Sequence, residues 1–265
     1  MPDLGKFEML PDEFAPVPDG WYEVEVEKIV EVEVEVDNRS GGDLIVVTKK
    51  PGTGSLDILW AKHTQVGLYQ RHLSDPLAHI DPNTGAPAPA LAKSWEESAD
   101  GTTITFSLRD DVTFHDGTPF NAEAVKFNTD RIQDAGAESR RWTGLGGDTF
   151  IGAKVIDEYT VELSWTAPQG EWWFDQAYWL MMQSPTAVEK AGDDYGVTTV
   201  TGTGPFKLVE WIEGESIVME RNPDYNWGSE IFKHQGPAYL DTLTFKGIPE
   251  TGTRLAALET GEVDI

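Results

Sequence analysis

The sequence predicts an α/β fold in which helices pack on a mixed β-sheet. Three observations support this. Short apolar runs alternate with polar residues, as in half-buried strands, and tight turns such as Asp100-Gly101 and Asp116-Gly117 separate them. Other segments show helical spacing of apolar residues and have recognisable ends. The two kinds of segment follow no regular βαβ rhythm, which favours a mixed sheet over a doubly wound parallel one.

The first predicted elements follow residue 41. Residues 44–48 form a short aliphatic run that is typical of a strand. Apolar residues recur near helical spacing over residues 64–73, which predicts a helix there. Residues 81–85 have the composition of a turn, and the proline-spaced residues 86–90 are predicted to be a connection.

A strand, a tight turn, a second strand and a helix are predicted over residues 94–132. Ile104, Phe106 and Leu108 alternate with polar residues, so they share one face of the second strand. Asn121 has a side chain suited to a helix N-cap, and the helix that follows is expected to run to about residue 132.

The rest of the chain repeats these patterns. Residues 172–182 are predicted to form a buried helix that ends at Ser184-Pro185, because proline disfavours helical backbone in the residue before it. The other predicted elements are hairpins at residues 155–165 and 206–221, a strand over residues 240–248, and a short helix over residues 254–260 closed by Gly261.

Residues 1–40 are predicted to be an acidic, low-complexity linker or tether. Residues 23–36 read EVEVEKIVEVEVEV, so valines and glutamates would fall on opposite faces of a strand. Glutamates facing one another across a hairpin would oppose pairing of this run with itself. The alternative is a β-ribbon that docks on a partner.

Composition excludes several classes of protein. The formal net charge is −26, which argues against nucleic-acid binding, since a phosphate backbone requires a basic footprint. The chain has no cysteine, so it has no disulfide, no thiolate nucleophile and no residue for a lipid anchor. No apolar run reaches the length of a membrane span, and the N-terminus lacks the pattern of a secretory signal.

Four blocks of sequence carry a resemblance to a known family: residues 91–120, 157–161, 202–225 and 254–265. They contain the runs LAKSWE, FHDGTPF, DEYTV, GTGPF, ERNPDY and RLAAL. In this order and at this spacing, they resemble the family 5 extracellular solute-binding proteins of ABC transporters, which bind peptides, oligopeptides or nickel. The resemblance extends over residues 41–265.

The resemblance implies a class II periplasmic-binding-protein fold, in which two hinged lobes enclose the ligand. Residues 41–265 would then be the N-terminal part of the first lobe, without the second lobe or the returning C-terminal segment. We therefore expect weak ligand binding or none from this chain alone. The resemblance also implies a periplasmic or extracellular location, with membrane association of the full-length protein.

Two groups of residues are candidate ligand contacts. In the loop Gly202, Thr203, Gly204 and Pro205, the glycines allow close approach of a ligand or of a crossing segment, and the threonine offers a hydroxyl. A tight entry into the following strand is the structural alternative. The second group is aromatic and suited to stacking on a ligand, although helical spacing also fits core packing: Trp60, Trp142, Trp172, Trp173 and Trp179.

No catalytic residue, metal site or cofactor is expected. Asp116 has a sufficient role in its turn with Gly117, so His115 and Asp116 are interpreted as structural. The other histidines do not match zinc-ligand spacing, and no nucleophile elbow or phosphate-binding loop occurs.

The leading hypothesis is a monomeric binding module, not an enzyme. It would capture a small solute, chiefly a peptide and alternatively a sugar or a nickel chelate, and deliver it to an ABC permease by lobe closure. The alternatives are a tryptophan-rich carbohydrate hydrolase that uses two carboxylates, and an acidic structural surface protein.

Overall fold

The computed structural model describes residues 42–48, 55–60, 64–170 and 179–264. Residues Ser40–Ile265 form one compact unit. The described strands are β1 (Asp43–Thr48), β2 (Ala78–Ile80), β3 (Pro87–Pro89), β4 (Ala92–Glu97), β5 (Thr103–Leu108), β6 (Phe150–Asp157), β7 (Thr160–Trp165), β8 (Phe206–Ile212), β9 (Ser216–Arg221) and β10 (Thr242–Gly247). The described α-helices are α1 (Thr64–Leu73), α2 (Ala122–Ala135), α3 (Arg140–Gly144), α4 (Pro185–Ala191) and α5 (Thr251–Glu259).

One four-stranded sheet has the order β1-β10-β9-β8. β1 runs parallel to β10, whereas the other neighbours are antiparallel, so this sheet is mixed as the sequence predicts. Its core is closed by α1, where the Tyr69 ring meets the Phe245 ring edge-on with centroids 4.7 Å apart. The buried core residues here are Leu56, Tyr69, Leu73, Val200, Phe206, Ile217, Met219, Leu243 and Phe245.

A second four-stranded sheet, in the order β4-β5-β7-β6, is antiparallel throughout. The predicted inward face of β5 is confirmed, because Ile104, Phe106 and Leu108 are all buried. Helix α2 packs against β6. Its predicted cap is also confirmed, since Asn121 Oδ1 accepts the amide hydrogen of Ala124 at 3.1 Å.

Most predicted elements after residue 41 are confirmed, including the first strand, the helix at Thr64–Leu73, both hairpins and the last strand and helix. The prediction for residues 86–90 was wrong. Pro87–Pro89 is strand β3 and pairs antiparallel with β2. Proline donates no amide hydrogen, so two prolines in three residues concealed this edge strand from pattern analysis.

The prediction of a helix over residues 172–182 was wrong at its described end. Trp179 is helical, but Met181 and Gln183 form isolated antiparallel bridges to Pro76 and Gly202. The next helix, α4, begins after Ser184, whose hydroxyl caps it.

Residues 171–178 and the acidic segment 1–40 lie outside the described residues. Across the part of the chain that the structure describes, no helix is long and apolar enough to cross a membrane.

Candidate functional site

The loop that begins at Gly202 packs directly against the end of α1. A Cβ atom at Gly202 would lie 2.0 Å from Ser74 Oγ and 2.2 Å from Leu73 O, and one at Gly204 would lie 2.5 Å from His72 O. The Gly204 amide donates to Leu73 O at 3.0 Å. The glycines are therefore required for close approach to a crossing segment of the same chain, which is the structural role that the sequence left open.

His115 contacts the same loop. Its Nε2 lies 2.9 Å from Gly204 O, and its Nδ1 accepts the Gly202 amide hydrogen at 3.3 Å. The two contacts together require a neutral ring with its hydrogen on Nε2. Burial lowers the pKa of His115 to about 4, which keeps the ring in that form at neutral pH. The structural interpretation of His115 agrees with this geometry.

Thr203 joins a buried polar cluster centred on Asp75. The Thr203 hydroxyl donates to Asp75 Oδ2 at 2.9 Å and accepts the Asp75 amide hydrogen at 3.0 Å. The Tyr225 hydroxyl and the Trp227 indole also donate to this carboxyl group, at 3.0 and 3.2 Å. Burial raises the pKa of Asp75 to about 6, although the three hydrogen bonds act against that rise.

The Trp60 segment is anchored by a buried ion pair and by a hydroxyl. Arg131 Nη2 donates to Asp57 Oδ2 at 2.6 Å, and the Asp57 side chain is only 2% exposed. The Ser139 hydroxyl donates to Leu59 O at 2.8 Å, next to Trp60. The Trp60 side chain is left 38% exposed. These contacts fix an exposed indole close to the start of α3.

Two guanidinium groups from distant parts of the chain lie close to the Trp179 ring. The guanidinium carbon of Arg71, on α1, is 4.7 Å from the ring centroid of Trp179. That of Arg141, on α3, is 5.1 Å from it. All three side chains are half-buried. We call Arg71, Arg141 and Trp179 the arginine–tryptophan cluster; it concentrates positive charge in a strongly acidic protein.

The predicted aromatic residues are only partly brought together. Trp179 belongs to the arginine–tryptophan cluster, and Trp60 is linked to α3 through Ser139. Trp142 packs against the core, and its ring lies over Gly147. Trp172 and Trp173 lie outside the described residues. A ligand role for these tryptophans and for the Gly202 loop stays a prediction.

The residues that carry charge at this site were not predicted from the sequence. Arg71 and Arg141 were not singled out, although two adjacent arginines, Arg140 and Arg141, precede a tryptophan in an acidic chain. That run was an available signal. The approach of Arg71 to Trp179 had no local signal, because it depends on how α1 packs.

A surface groove of about 450 Å³ opens between the starts of α2 and α4, and Asn121, Lys126, Phe127 and Pro185 are among its lining residues. None of the predicted ligand contacts lines it. Among the residues that the structure describes, no group of three or more histidine, aspartate or glutamate side chains is arranged to hold a metal ion.

Residues 86–265 match the family described as bacterial extracellular solute-binding proteins, family 5, middle part. This chain belongs to that family. The resemblance stated from the sequence blocks is therefore confirmed. The family's curated relatives include the glutathione-binding protein GsiB of Shigella flexneri, which is 35% identical over 173 residues. That match covers 65% of this chain and 32% of the relative.

Solved structures of the family have the same fold. The periplasmic binding protein DppA of Helicobacter pylori, in complex with the peptide STSA, matches with a TM-score of 0.73 and 29% identity, over 85% of this chain and 46% of DppA. NikA of Brucella suis, in complex with Fe(III)-EDTA, matches with a TM-score of 0.69 and 30% identity, over 84% of this chain and 43% of NikA. The chain thus spans about a third of its curated relatives and under half of these structures.

The predicted fold class is confirmed by these matches. The chain has the mixed α/β architecture of periplasmic binding proteins and corresponds to part of such a fold. DppA is an ABC transporter-associated periplasmic binding protein that holds a peptide, GsiB is a glutathione-binding protein, and the NikA structure holds Fe(III)-EDTA.

Proposed function

We propose that this chain is part of the substrate-binding component of an ABC importer and contacts a small ligand that carries a carboxylate, chiefly a peptide. The approach of both Arg71 and Arg141 to the Trp179 ring carries this proposal. The named ligands of the relatives, glutathione, a peptide and Fe(III)-EDTA, all carry carboxylates. A shared chemical group of this kind is what an arginine pair recognises.

The cluster has suitable chemistry for this task. A guanidinium group presents paired N–H donors that match the two oxygens of a carboxylate, and an aromatic face restrains its orientation. Half-burial of Arg71 and Arg141 strengthens such a contact, because fewer water molecules screen it. Trp60, which is exposed and held close to the start of α3, would offer a face for an apolar part of the ligand.

The wider function follows from the family. The substrate-binding component would work as a monomer in the periplasm or outside the cell, associated with the membrane in its full-length form. It would close around the ligand and deliver it to an ABC permease. It would make and break no covalent bond, so no cofactor is required. Residues 41–265 would supply the N-terminal part of the first lobe, and residues 1–40 a tether.

The test compares a tripeptide with a free C-terminal carboxylate to the same tripeptide as its C-terminal amide. Binding to the purified chain is followed by the Trp179 indole signal in NMR, because one lobe alone should bind weakly. We expect the acid to bind at least about ten times more tightly than the amide, a difference of about 1.4 kcal/mol. Glutathione should resemble the acid, and maltose should not perturb Trp179.

Two variants separate recognition by the cluster from general charge effects. Arg141→Gln removes one guanidinium and should abolish the preference for the acid. Lys126→Gln removes the same charge from an exposed side chain paired with Asp130, and should leave the preference intact. The proposal fails if the acid and the amide perturb Trp179 equally, or if Arg141→Gln retains the preference.

A further inference from the structure

The two arginines of the arginine–tryptophan cluster belong to separate helices. Arg71 lies in the last turn of α1, and Arg141 lies in α3. Their guanidinium carbons are 4.7 and 5.1 Å from the same ring centroid, so they are less than about 10 Å apart, which is about the Debye length in 0.1 M salt. Both positive charges would therefore act on one ligand that contacts Trp179.

Hydrogen bonds fix the backbones that carry these two arginines. The Leu73 carbonyl, at the end of α1, accepts the Gly204 amide hydrogen at 3.0 Å. At the start of α3, the Ser139 hydroxyl accepts the Arg141 amide hydrogen at 3.2 Å. A ligand that contacts both guanidinium groups must therefore carry acceptor groups at a matching separation, because the helix ends are already positioned.

Two guanidinium groups match a ligand with two carboxylates. A guanidinium pairs two parallel N–H groups with the two oxygens of a single carboxylate. Its attraction to an aromatic ring depends on its charge and not on these donors. The chain as a whole has a formal net charge of −26, so a second negative charge on a ligand is favourable only beside local positive charge. The second arginine provides that charge.

The connection of Arg141 to Trp60 assigns one carboxylate to each arginine. The Ser139 hydroxyl that caps α3 also donates to Leu59 O at 2.8 Å, next to Trp60. A peptide whose C-terminal carboxylate is held by Arg141 would therefore have its body close to the exposed Trp60 ring. Arg71 would then face the side chain of the C-terminal residue.

Two histidines near Arg71 do not add to its positive charge at neutral pH. Burial, with a smaller effect of the Arg71 charge, lowers the pKa values of His72 and His79 to about 4. Both rings are therefore neutral at pH 7, and of these three groups only Arg71 attracts a carboxylate by its charge. A single substitution of Arg71 should remove that attraction.

We propose that Arg71 is a specificity-determining residue that selects an acidic side chain at the C-terminal residue of a peptide, while Arg141 holds the α-carboxylate. This inference rests on the proposed function and narrows its ligand class to molecules with two carboxylates, such as a peptide that ends in glutamate. In glutamate the two carboxyl groups are joined by Cα and two methylene groups, so one residue can contact both guanidinium groups.

The first test compares tripeptides on the purified chain, with binding followed by the Trp179 indole signal in NMR. Ala-Ala-Glu should bind at least about five times more tightly than Ala-Ala-Gln, which lacks only the side-chain charge. Glu-Ala-Ala has the composition and charge of Ala-Ala-Glu with the acidic side chain at the other end, so it should bind within about twofold of Gln-Ala-Ala. Equal binding of Ala-Ala-Glu and Ala-Ala-Gln would overturn the proposal, and so would an equal advantage for Glu-Ala-Ala over Gln-Ala-Ala.

Two substitutions test Arg71 itself. Arg71→Gln should remove the preference for Ala-Ala-Glu over Ala-Ala-Gln, but Ala-Ala-Gln should still bind more tightly than its C-terminal amide. Arg71→Lys keeps the charge without the paired donors and should retain a preference for Ala-Ala-Glu of at least about twofold. Lys154→Gln removes a charge from an exposed position on β6 and should change neither preference. A full preference for Ala-Ala-Glu in Arg71→Gln would overturn the proposal.

The outcomes separate this proposal from the proposed function on which it rests. If Ala-Ala-Gln and its amide bind equally to the wild type, recognition of the α-carboxylate fails, and the division of roles between Arg71 and Arg141 fails with it. If the acid is preferred to the amide while Ala-Ala-Glu and Ala-Ala-Gln bind equally, only the role of Arg71 is wrong. The wild-type comparison uses no variant, so it decides the matter even if Arg71→Gln does not fold.

Discussion

The carboxyl group of Asp75 accepts a hydrogen bond from the Thr203 hydroxyl at 2.9 Å, across 128 residues of sequence. Burial raises the pKa of Asp75 from 3.8 to about 6, so the folded state keeps this proton at a pH where the unfolded chain has released it. The contribution of Asp75 to stability therefore falls as pH rises from 3.8 to about 6, and is constant above that range.

Asp75→Asn should remove this pH dependence. The free energy of unfolding of the variant, relative to that of the wild type, should rise by up to about 3 kcal/mol between pH 4 and pH 7. Chemical denaturation at intervals of half a pH unit measures it. Asp134→Asn removes a carboxyl group from an exposed position on α2 and serves as the control. A difference that does not vary with pH would contradict a raised pKa at Asp75.

The contribution of His115 to stability should change with pH in the direction opposite to that of Asp75. Its pKa is lowered from 6.5 to about 4, so the unfolded chain binds a proton before the folded one does, and stability is lost as pH falls through this range. Protonation would also displace the Gly202 amide from Nδ1. His115→Phe should lose about 1–3 kcal/mol at pH 7, because it removes both contacts to the loop.

The same variant should flatten the fall in stability between pH 6.5 and pH 4, since one histidine with a lowered pKa no longer titrates there. The half-buried rings of His72 and His79, whose pKa values are also lowered to about 4, will retain part of the slope. Denaturation curves at pH 5 and pH 7 check both effects. His234→Phe, at an exposed position, should change neither. An unchanged slope in His115→Phe would be evidence against the neutral ring.

Local chemistry explains which elements could be predicted from the sequence. The hairpin of β8 and β9 turns at Gly214, where φ is +74°, so the glycine and the alternating strands on either side reveal it. Asn121 reveals the start of α2 because a cap bonds only to its own helix. By contrast, the Met182 amide donates a hydrogen bond to Asp75 O. The extended backbone at Met182 therefore depends on a residue that is distant in the sequence.

The candidate site was predictable only in part for the same reason. Aromatic side chains such as Trp60 and Trp179 are recognisable as candidates in a sequence. Their arginine neighbours are set by the packing of α1 and α3, and Arg71 lies far from Trp179 in the sequence. The Gly202 loop was found by its glycines, but a sequence does not say whether the close neighbour is a ligand or, as here, the end of α1.

Gly204→Ala should be severely destabilising, whereas Gly252→Ala should not. Neither glycine has a left-handed φ, so the two variants differ in the space available to a methyl group. At Gly204 the new Cβ would meet backbone atoms of residues 72–74 at 2.5–2.7 Å, and a loss of more than about 3 kcal/mol is expected. At Gly252, in α5, nothing lies within 4 Å.

Gly252→Ala should instead gain up to about 0.5 kcal/mol, because alanine loses less backbone entropy in a helix. Thermal melts followed by circular dichroism compare the two. If Gly204→Ala melted within a few degrees of the wild type, the close packing of the loop on α1 would be wrong.

The ion pair of Arg131 and Asp57 should show an asymmetric response to mutation. The Asp57 side chain is 2% exposed, whereas that of Arg131 is 17% exposed and reaches solvent more readily. Arg131→Met leaves a buried carboxylate without its cation and should cost about 3–5 kcal/mol. Asp57→Asn keeps Oδ1, which accepts the Leu59 amide hydrogen, and should cost less, about 1–3 kcal/mol.

The double variant should cost less than the sum of the two single changes, because each single change already removes the pair. Lys93→Met is the matched control: its pair with Asp110 is 52% and 62% exposed, so its loss should cost no more than about 1 kcal/mol. Urea denaturation of all four variants gives the comparison. Strict additivity would show that Arg131 and Asp57 are not coupled. A smaller loss for Arg131→Met than for Asp57→Asn would show that the buried carboxylate is not the group that depends on its partner.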